Sequence, residues 1–359
     1  MVALSILDLA RVREGGDARD ALAQARALAV QAESSGFTRF WVAEHHNMPG
    51  IASAATSVVI GYIAEGTSTI RVGSGGIMLP NHSPLVIAEH FGTLARLYPG
   101  RIDLGLGRAP GTDQLTLQAL RRSPEAAQHF PNDVLELQHY FAAAQHDQRI
   151  EAVPAAGTDV PLWILGSSNF GAMLAGELGL PYAFASHFAP DFLLPALQIY
   201  RERFKPSAQL SKPYAMVGVN IIAADTDAEA ERLATTQQMS VVNIFRGVRG
   251  LSQPPIDDID SYWTAMEKEQ AARWLARSIT GDTATVGAGI DALVAETGAD
   301  ELMIVSDVHD PEARLRSVAL IGEACAQPFA AQKNSCGSGD VSGRLAAGPV
   351  GELSGFRSL

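Results

Sequence analysis

A chain of 359 residues is long enough for two average domains or one large α/β barrel. Apolar residues make up 47% and charged residues 18%, which suits a sizeable buried core and excludes a disordered chain. The net charge of −12, with no run of Lys and Arg beyond pairs such as Arg121-Arg122, argues against a nucleic-acid partner.

Short apolar runs alternate with longer amphipathic ones. "VALSILDL" reads as a strand. "DARDALAQARALAVQAESSG" follows as a helix, with Asp17 as its N-cap and Gly36 just past its end. "FTRFWVAE" is a strand, "ASAATSVVIGYIAEGT" a helix, and "IRVGSGGIML" a strand. "SPLVIAEHFGTLARLYPG" is a helix opened by Ser83 and Pro84. "RIDLGLG" is the fourth strand. The span 110–160 then holds a helix near 131–145 and a polar connection. "VPLWILGSS", "LPYAFASHF", "YAMVGVNIIAAD" and "ELMIVSD" complete eight strand candidates, each followed by helix. Residues 226–280 read as helix interrupted by "GLSQPPIDDIDSY". The segment 329–359 carries six glycines from 331 onward and no apolar period. It is expected to be a disordered tail after a domain spanning 1–328.

Cys325 and Cys336 form no disulfide framework and no zinc spacing, so a reducing compartment is expected. The start "MVALSILDLARVREGG" has neither a basic lead nor a small-residue cleavage site. Apolar stretches break well short of the ~20 residues of a membrane span. Together these imply a cytoplasmic protein without a membrane partner.

Strands this apolar are expected where both faces are covered. Eight βα units in this order predict a (β/α)8 TIM barrel with insertions at 110–160 and 225–285. The rival, a doubly wound open sheet, would carry a Gly-rich phosphate loop after its first strand, and "DLARVREGGD" is not one.

Barrel chemistry sits where strands end. The second strand ends in Glu44-His45-His46. Side chains alternate along a strand, so Glu44 and His46 share one face and His45 takes the other. Adjacent histidines make a poor bidentate metal site, and no metal is expected; packing or loop capping is the plain alternative. In "VGSGGIM", Ser74, Gly75 and Gly76 mark a bulge or a close approach of the backbone to a ligand. In "ILGSSNFGAMLA", Gly166, Ser167 and Ser168 turn from strand into helix, which is either ordinary capping or a phosphate site. Arg108 adds a cation at the same face, or a surface ion pair. Combined, these features suggest a planar, phosphate-bearing cofactor such as flavin mononucleotide (FMN).

"GFTRFWVAEHH", "IRVGSGGIMLPNHSP", "YPGRIDLGLGRAPG" and "VPLWILGSSNFGAMLA" resemble, in order and spacing, the bacterial luciferase-like family of flavin-dependent oxidoreductases, over roughly residues 1–328. The resemblance implies a barrel, a homodimer, and reduced FMN or, in one branch, the deazaflavin F420. It implies proton transfer by His45, an acid at Glu44 near the flavin and the dimer interface, and a cis Gly75–Gly76 bond beneath the ring. Arg108 and Ser167 match phosphate contacts, with Ser168 beside them. Two residues depart from the luciferases: Gly107 replaces a reactive cysteine, and His187 replaces a tryptophan. Light emission is therefore not expected.

The implied activity is monooxygenation of a small hydrophobic compound with O2 and with reduced FMN supplied by a separate NAD(P)H:flavin reductase. Three other readings are an F420-dependent hydride-transfer enzyme, a non-catalytic flavin binder and a metal-dependent barrel hydrolase. The last would favour His-x-His at a strand end, which is absent. Loops near 46–52, 108–130 and 246–262 are expected to choose the substrate.

Overall fold

In a computed structural model, residues 1–109 and 113–326 are described. Eight parallel strands close into a barrel: β1 (Ala3–Asp8), β2 (Arg39–Val42), β3 (Arg71–Met78), β4 (Ile102–Gly107), β5 (Leu162–Gly166), β6 (Tyr182–Phe184), β7 (Ala215–Ala223) and β9 (Glu301–Val305). They pair in that order, β6 joins β7, and β7 reaches β1 through β9. These are the eight runs read from the sequence. A ninth strand, β8 (Ile279–Gly281), pairs only with Ile221–Ala223 at the upper end of β7. The expected tail at 329–359 lies outside the described residues.

Helices α1 (Ala18–Ser34), α2 (Thr56–Glu65) and α3 (Pro84–Leu97) follow the first three strands. Asp17 caps α1 through a capping box with Asp20, and the small stripe Ala21, Ala25, Leu28, Ala29 and Ala32 lets the helix sit close to the sheet. After β4 come α4 (Gln114–Ala119) and α5 (Phe130–Phe141); α6 (Asn169–Leu178) and α7 (Leu193–Arg203) cover β5 and β6. The long excursion after β7 holds α8 (Asp227–Phe245), α9 (Ala265–Trp274) and α10 (Thr283–Thr297), and α11 (Pro311–Ala326) closes the ring.

One apolar core lies between strands and helices, with Phe40, Phe91, Ile60 and Tyr200 among its fully covered members. A second fills the barrel itself: Leu7, Trp41, Ala43, Trp163, Ala183, Met216 and Met303. Trp41 and Trp163 meet edge to face at 5.1 Å. Below them, at the N-terminal ends of the strands, Arg39 bonds Asp103 at 2.8 Å and Glu301 at 2.8 Å, and both carboxylates are fully buried. Among the described residues the tryptophans and this ionic floor fill the lower half of the barrel, and the cavity lies toward the C-terminal face.

Candidate active site

A cavity of about 750 Å³ opens at the C-terminal face, well within the size range of small-molecule sites. Its floor is the top of the barrel core, Leu7, Trp41, Ala183 and Met303. His45, Gly75, Gly76, Arg108, Gly166, Ser167 and Ser168 all line it. So do residues of the three loops expected to select substrate, such as Ile51, Phe130 and Val248.

Two candidates from the sequence are not in that lining. Ser74 is fully buried, and its hydroxyl donates to the Gly105 carbonyl at 2.8 Å. Regular alternation turns Ser74 outward with Val72; a bulge follows it, since Ser74 pairs with Leu104 and Ile77 with Leu106, so Gly75 and Gly76 together oppose one residue of β4. Glu44 lies behind the wall, 1% exposed. The Gly75–Gly76 bond is cis. The glycines also have a purely structural reason. A Cβ on Gly73 would lie 2.5 Å from the Asp103 carbonyl, and one on Gly76 would lie 2.7 Å from that of Gly105. The wall is thin there because neighbouring strands press against it, and Gly75 and Gly76 remain open to the cavity.

At the rim after β5, across β4 from the glycine wall, Ser168 is the N-cap of α6 but its side chain makes no capping bond. The first N–H groups of the helix thus face the rim with the Ser167 and Ser168 hydroxyls beside them. Arg108 stacks its guanidinium over the Phe170 ring at 3.9 Å and has no ion pair among the described residues. Stacking orients the fork and leaves its N–H groups for an anion. Arg121 and Arg122 do not line the cavity; Arg122 donates to the Asn81 carbonyl at 3.1 Å. This rim can hold a phosphate, and the glycine wall can accept a flat ring.

Alternation past the end of β2 separates the histidine pair as expected. His45 turns to the cavity, while His46 meets Glu44 at 2.8 Å. His82, from the loop after β3, reaches the same carboxylate at 2.9 Å. Glu44 also accepts from the Met78 N–H at 3.0 Å and from Asn81 at 3.2 Å. Glu44, His46 and His82 offer ligand atoms within 4.8 Å of one another, a possible metal triad by distance alone. The carboxylate is already saturated by donors, and that accounts for the cluster without an ion. Burial alone would raise the Glu44 carboxyl, but donation by His46 and His82 holds it at about 2. The same bond raises His46 above its ordinary value.

Glu44→Gln would turn an amide N–H toward these donors and is expected to cost about 2 kcal/mol. The carboxylate's contribution is present above its ordinary pKa of 4.5 and is lost as pH falls toward about 2. The contribution of His46 is present below 6.5 and is lost as pH rises past its raised value. The stability gap between wild type and Glu44→Gln is therefore widest between pH 4.5 and 6.5. Urea denaturation checks this; a gap that stays flat from about pH 3 to 8 contradicts a charged cluster.

Several lining residues carried no sequence signal. Asn220 on β7 and Gln237 on α8 pair at 2.8 Å across the cavity wall, and Arg11 meets Asp307 at 3.1 Å. They come together only through barrel closure. His82 could have been sought in "MLPNHSP", since that loop follows a strand end.

The profile of the family described as luciferase-like monooxygenase matches residues 2–301. A protein of Escherichia coli strain K12 named luciferase-like monooxygenase is 53% identical over 320 residues, covering 89% of this chain and 96% of that one. The N-acetyl-S-alkylcysteine monooxygenase of Bacillus subtilis strain 168 is 36% identical over 256 residues, 67% of this chain and 74% of that one. Among solved structures, apo-MsnO8 superposes with a TM-score of 0.81 at 34% identity, covering 91% of this chain and 99% of that chain.

Proposed function

The chain belongs to the luciferase-like monooxygenase family, and from that premise we propose that it uses reduced FMN and O2 to oxidise a small, largely apolar organic molecule. The observation that carries this reading is the pairing, in one cavity, of a glycine-lined strand edge with a rim built from Arg108, Ser167 and Ser168. A flat ring resting on Gly75 and Gly76 and a phosphate held at the rim after β4 and β5 need both parts. Bound reduced flavin supplies the electrons that activate oxygen. The protein's share is to hold the phosphate with Arg108 and the α6 N-terminus, to exclude water with apolar walls, and to move protons through His45. Glu44 takes a positioning role: it pins His46 and His82 and thereby holds the segment that carries His45.

A separate NAD(P)H:flavin reductase supplies the reduced cofactor in this reading. A homodimer belongs to it too, supported by Val58, Tyr62, Val86 and Leu97 left on the outer surfaces of α2 and α3. In the F420 alternative the same walls hold a deazaflavin. Anaerobic titration with reduced FMN and reduced F420, followed by oxygen, decides between the two readings. Saturation by FMN and oxygen-dependent reoxidation support the monooxygenase. Saturation by F420 alone overturns it.

Arg108→Ala is expected to weaken FMN about tenfold or more, the scale of a lost charge-assisted hydrogen bond, while riboflavin changes little. Fluorescence titration of both flavins is the check, and equal losses would mean that Arg108 does not read the phosphate.

A further inference from the structure

We propose that His187 is the hydrogen-bond donor that orients the substrate, so that the cavity selects a neutral molecule with an apolar body and one acceptor oxygen, of the ketone, aldehyde or ester class. The inference rests on the reading of this cavity as the substrate chamber of the monooxygenase.

His187 follows β6 and lines the cavity on the side of α8 and α9. The wall around it is apolar: Phe188, Val241, Ile244, Val248, Trp274 and Leu275. Phe188 meets the imidazole edge to face at 4.8 Å and sits 6.1 Å from Trp274, which meets Phe245 at 5.4 Å. Ser240 also lines the cavity, and other polar neighbours are engaged with one another. Asn220 donates to the His187 carbonyl at 2.7 Å and accepts from Gln237 at 2.8 Å; Asn243 donates to Gln253 and accepts from Tyr262. The His187 ring has no hydrogen bond to any described residue, and its Nδ1 is buried without a partner.

That orphan nitrogen fixes the tautomer. Nδ1 packs against the backbone of β7, where a Cβ on Gly218 would lie 2.5 Å from it. A buried N–H without an acceptor is rarer and more costly than a bare lone pair. The proton therefore sits on Nε2, the nitrogen left for the cavity. Burial drives the pKa down to about 4, so the ring is a neutral donor at ordinary pH. A neutral donor in an apolar wall favours a neutral acceptor. An anion would find no compensating cation on this side, since Arg249 is bonded to Asp113 at 2.7 Å and Arg11 is paired with Asp307. An acceptor-free hydrocarbon would leave the N–H unmet.

The probes are acetophenone and α-methylstyrene, which match in shape and differ in C=O against C=CH2. Their dissociation constants are measured calorimetrically on the full chain with and without oxidised FMN, for wild type, His187→Leu and His187→Gln. His187→Leu is expected to shift the ketone-to-hydrocarbon affinity ratio about tenfold toward the hydrocarbon, with α-methylstyrene itself changed less than about threefold. His187→Gln keeps an N–H and restores the ratio. The infrared carbonyl stretch of bound acetophenone lies to the red of its value in hexane in the wild type and in His187→Gln, and not in His187→Leu. An unchanged ratio in His187→Leu overturns the role of His187 and leaves the chamber standing. Failure of both probes to bind the wild type overturns the chamber itself.

Discussion

Replacing Arg39 by methionine is expected to destabilise the fold by about 3 kcal/mol while leaving flavin affinity unchanged. Arg39 bridges two carboxylates that have no access to water, Asp103 on β4 and Glu301 on β9. Burial would pull a guanidinium down, but the two acids beside it push Arg39 well above its ordinary range. Removing one partner of such a set leaves buried charge uncompensated. The loss is held to about 3 kcal/mol because other donors remain. Asp103 keeps Arg71 at 3.0 Å and the Trp41 indole at 3.3 Å. Glu301 keeps Tyr214 at 2.8 Å and the Ser5 hydroxyl. Methionine also retains much of the packing of the guanidinium on the Trp163 ring, 4.6 Å away in the wild type. Adding Glu301→Gln to Arg39→Met is expected to recover part of the loss, since it removes one of the stranded charges. Urea denaturation at constant slope measures both. A loss below about 1 kcal/mol, or one shared by flavin affinity, contradicts a purely structural floor.

The position of that floor explains which parts of the protein were legible in the sequence. The eight barrel strands stood out because each is buried on both faces, and β7 is buried at all nine residues. β8 did not, because it has three residues and pairs only with the end of β7. Helix α10 was missed: "TATVGAGIDALVAET" is rich in glycine and small residues, and its start depends on Asp282 capping Ala284 and Thr285. α4, six residues long and capped by Asp113, was also hidden in the span after β4. The site followed the same logic. The strand-end residues His45, Gly75, Gly76, Arg108, Gly166, Ser167 and Ser168 could be gathered once a barrel was inferred, because the fold brings strand ends to one face. Ser74 was misplaced because regular alternation turns it outward with Val72, away from the cavity that Gly75 faces, and the bulge begins only after it. The Arg39 set was invisible: its members are 262 and 64 residues apart, and charged residues at strand starts read as solvent-facing until the barrel closes.

Substituting His45 by alanine is expected to lower coupled turnover by about 10²-fold or more while FMN affinity changes less than about threefold, if His45 carries the proton in the proposed reaction. Its placement supports that division. His45 lines the cavity, whereas its two neighbours are tied together behind the wall by the Glu44 carboxylate. The segment is held further by the Glu44 N–H on the Gly76 carbonyl at 3.3 Å and the Ala43 N–H on the Asp8 carbonyl at 3.1 Å. Trimming the imidazole therefore removes a reactive group without releasing the backbone that shapes the glycine wall. Proton transfer by a side chain depends on its protonation state, so wild-type turnover should carry a pH dependence that the variant lacks. Oxygen uptake should continue in His45→Ala, with hydrogen peroxide replacing product, because the apolar walls and the phosphate rim are untouched. The measurement is product formed per O2 consumed, beside the FMN dissociation constant. An unchanged product yield removes His45 from the chemistry. A loss of flavin binding equal to the loss of turnover makes it a binding residue instead. Glu44→Gln separates position from chemistry: it loosens the segment without touching the imidazole. It should reduce turnover less than His45→Ala does and keep the wild-type pH dependence, whereas a pH profile lost in both variants would move the titrating group from His45 to the Glu44 cluster.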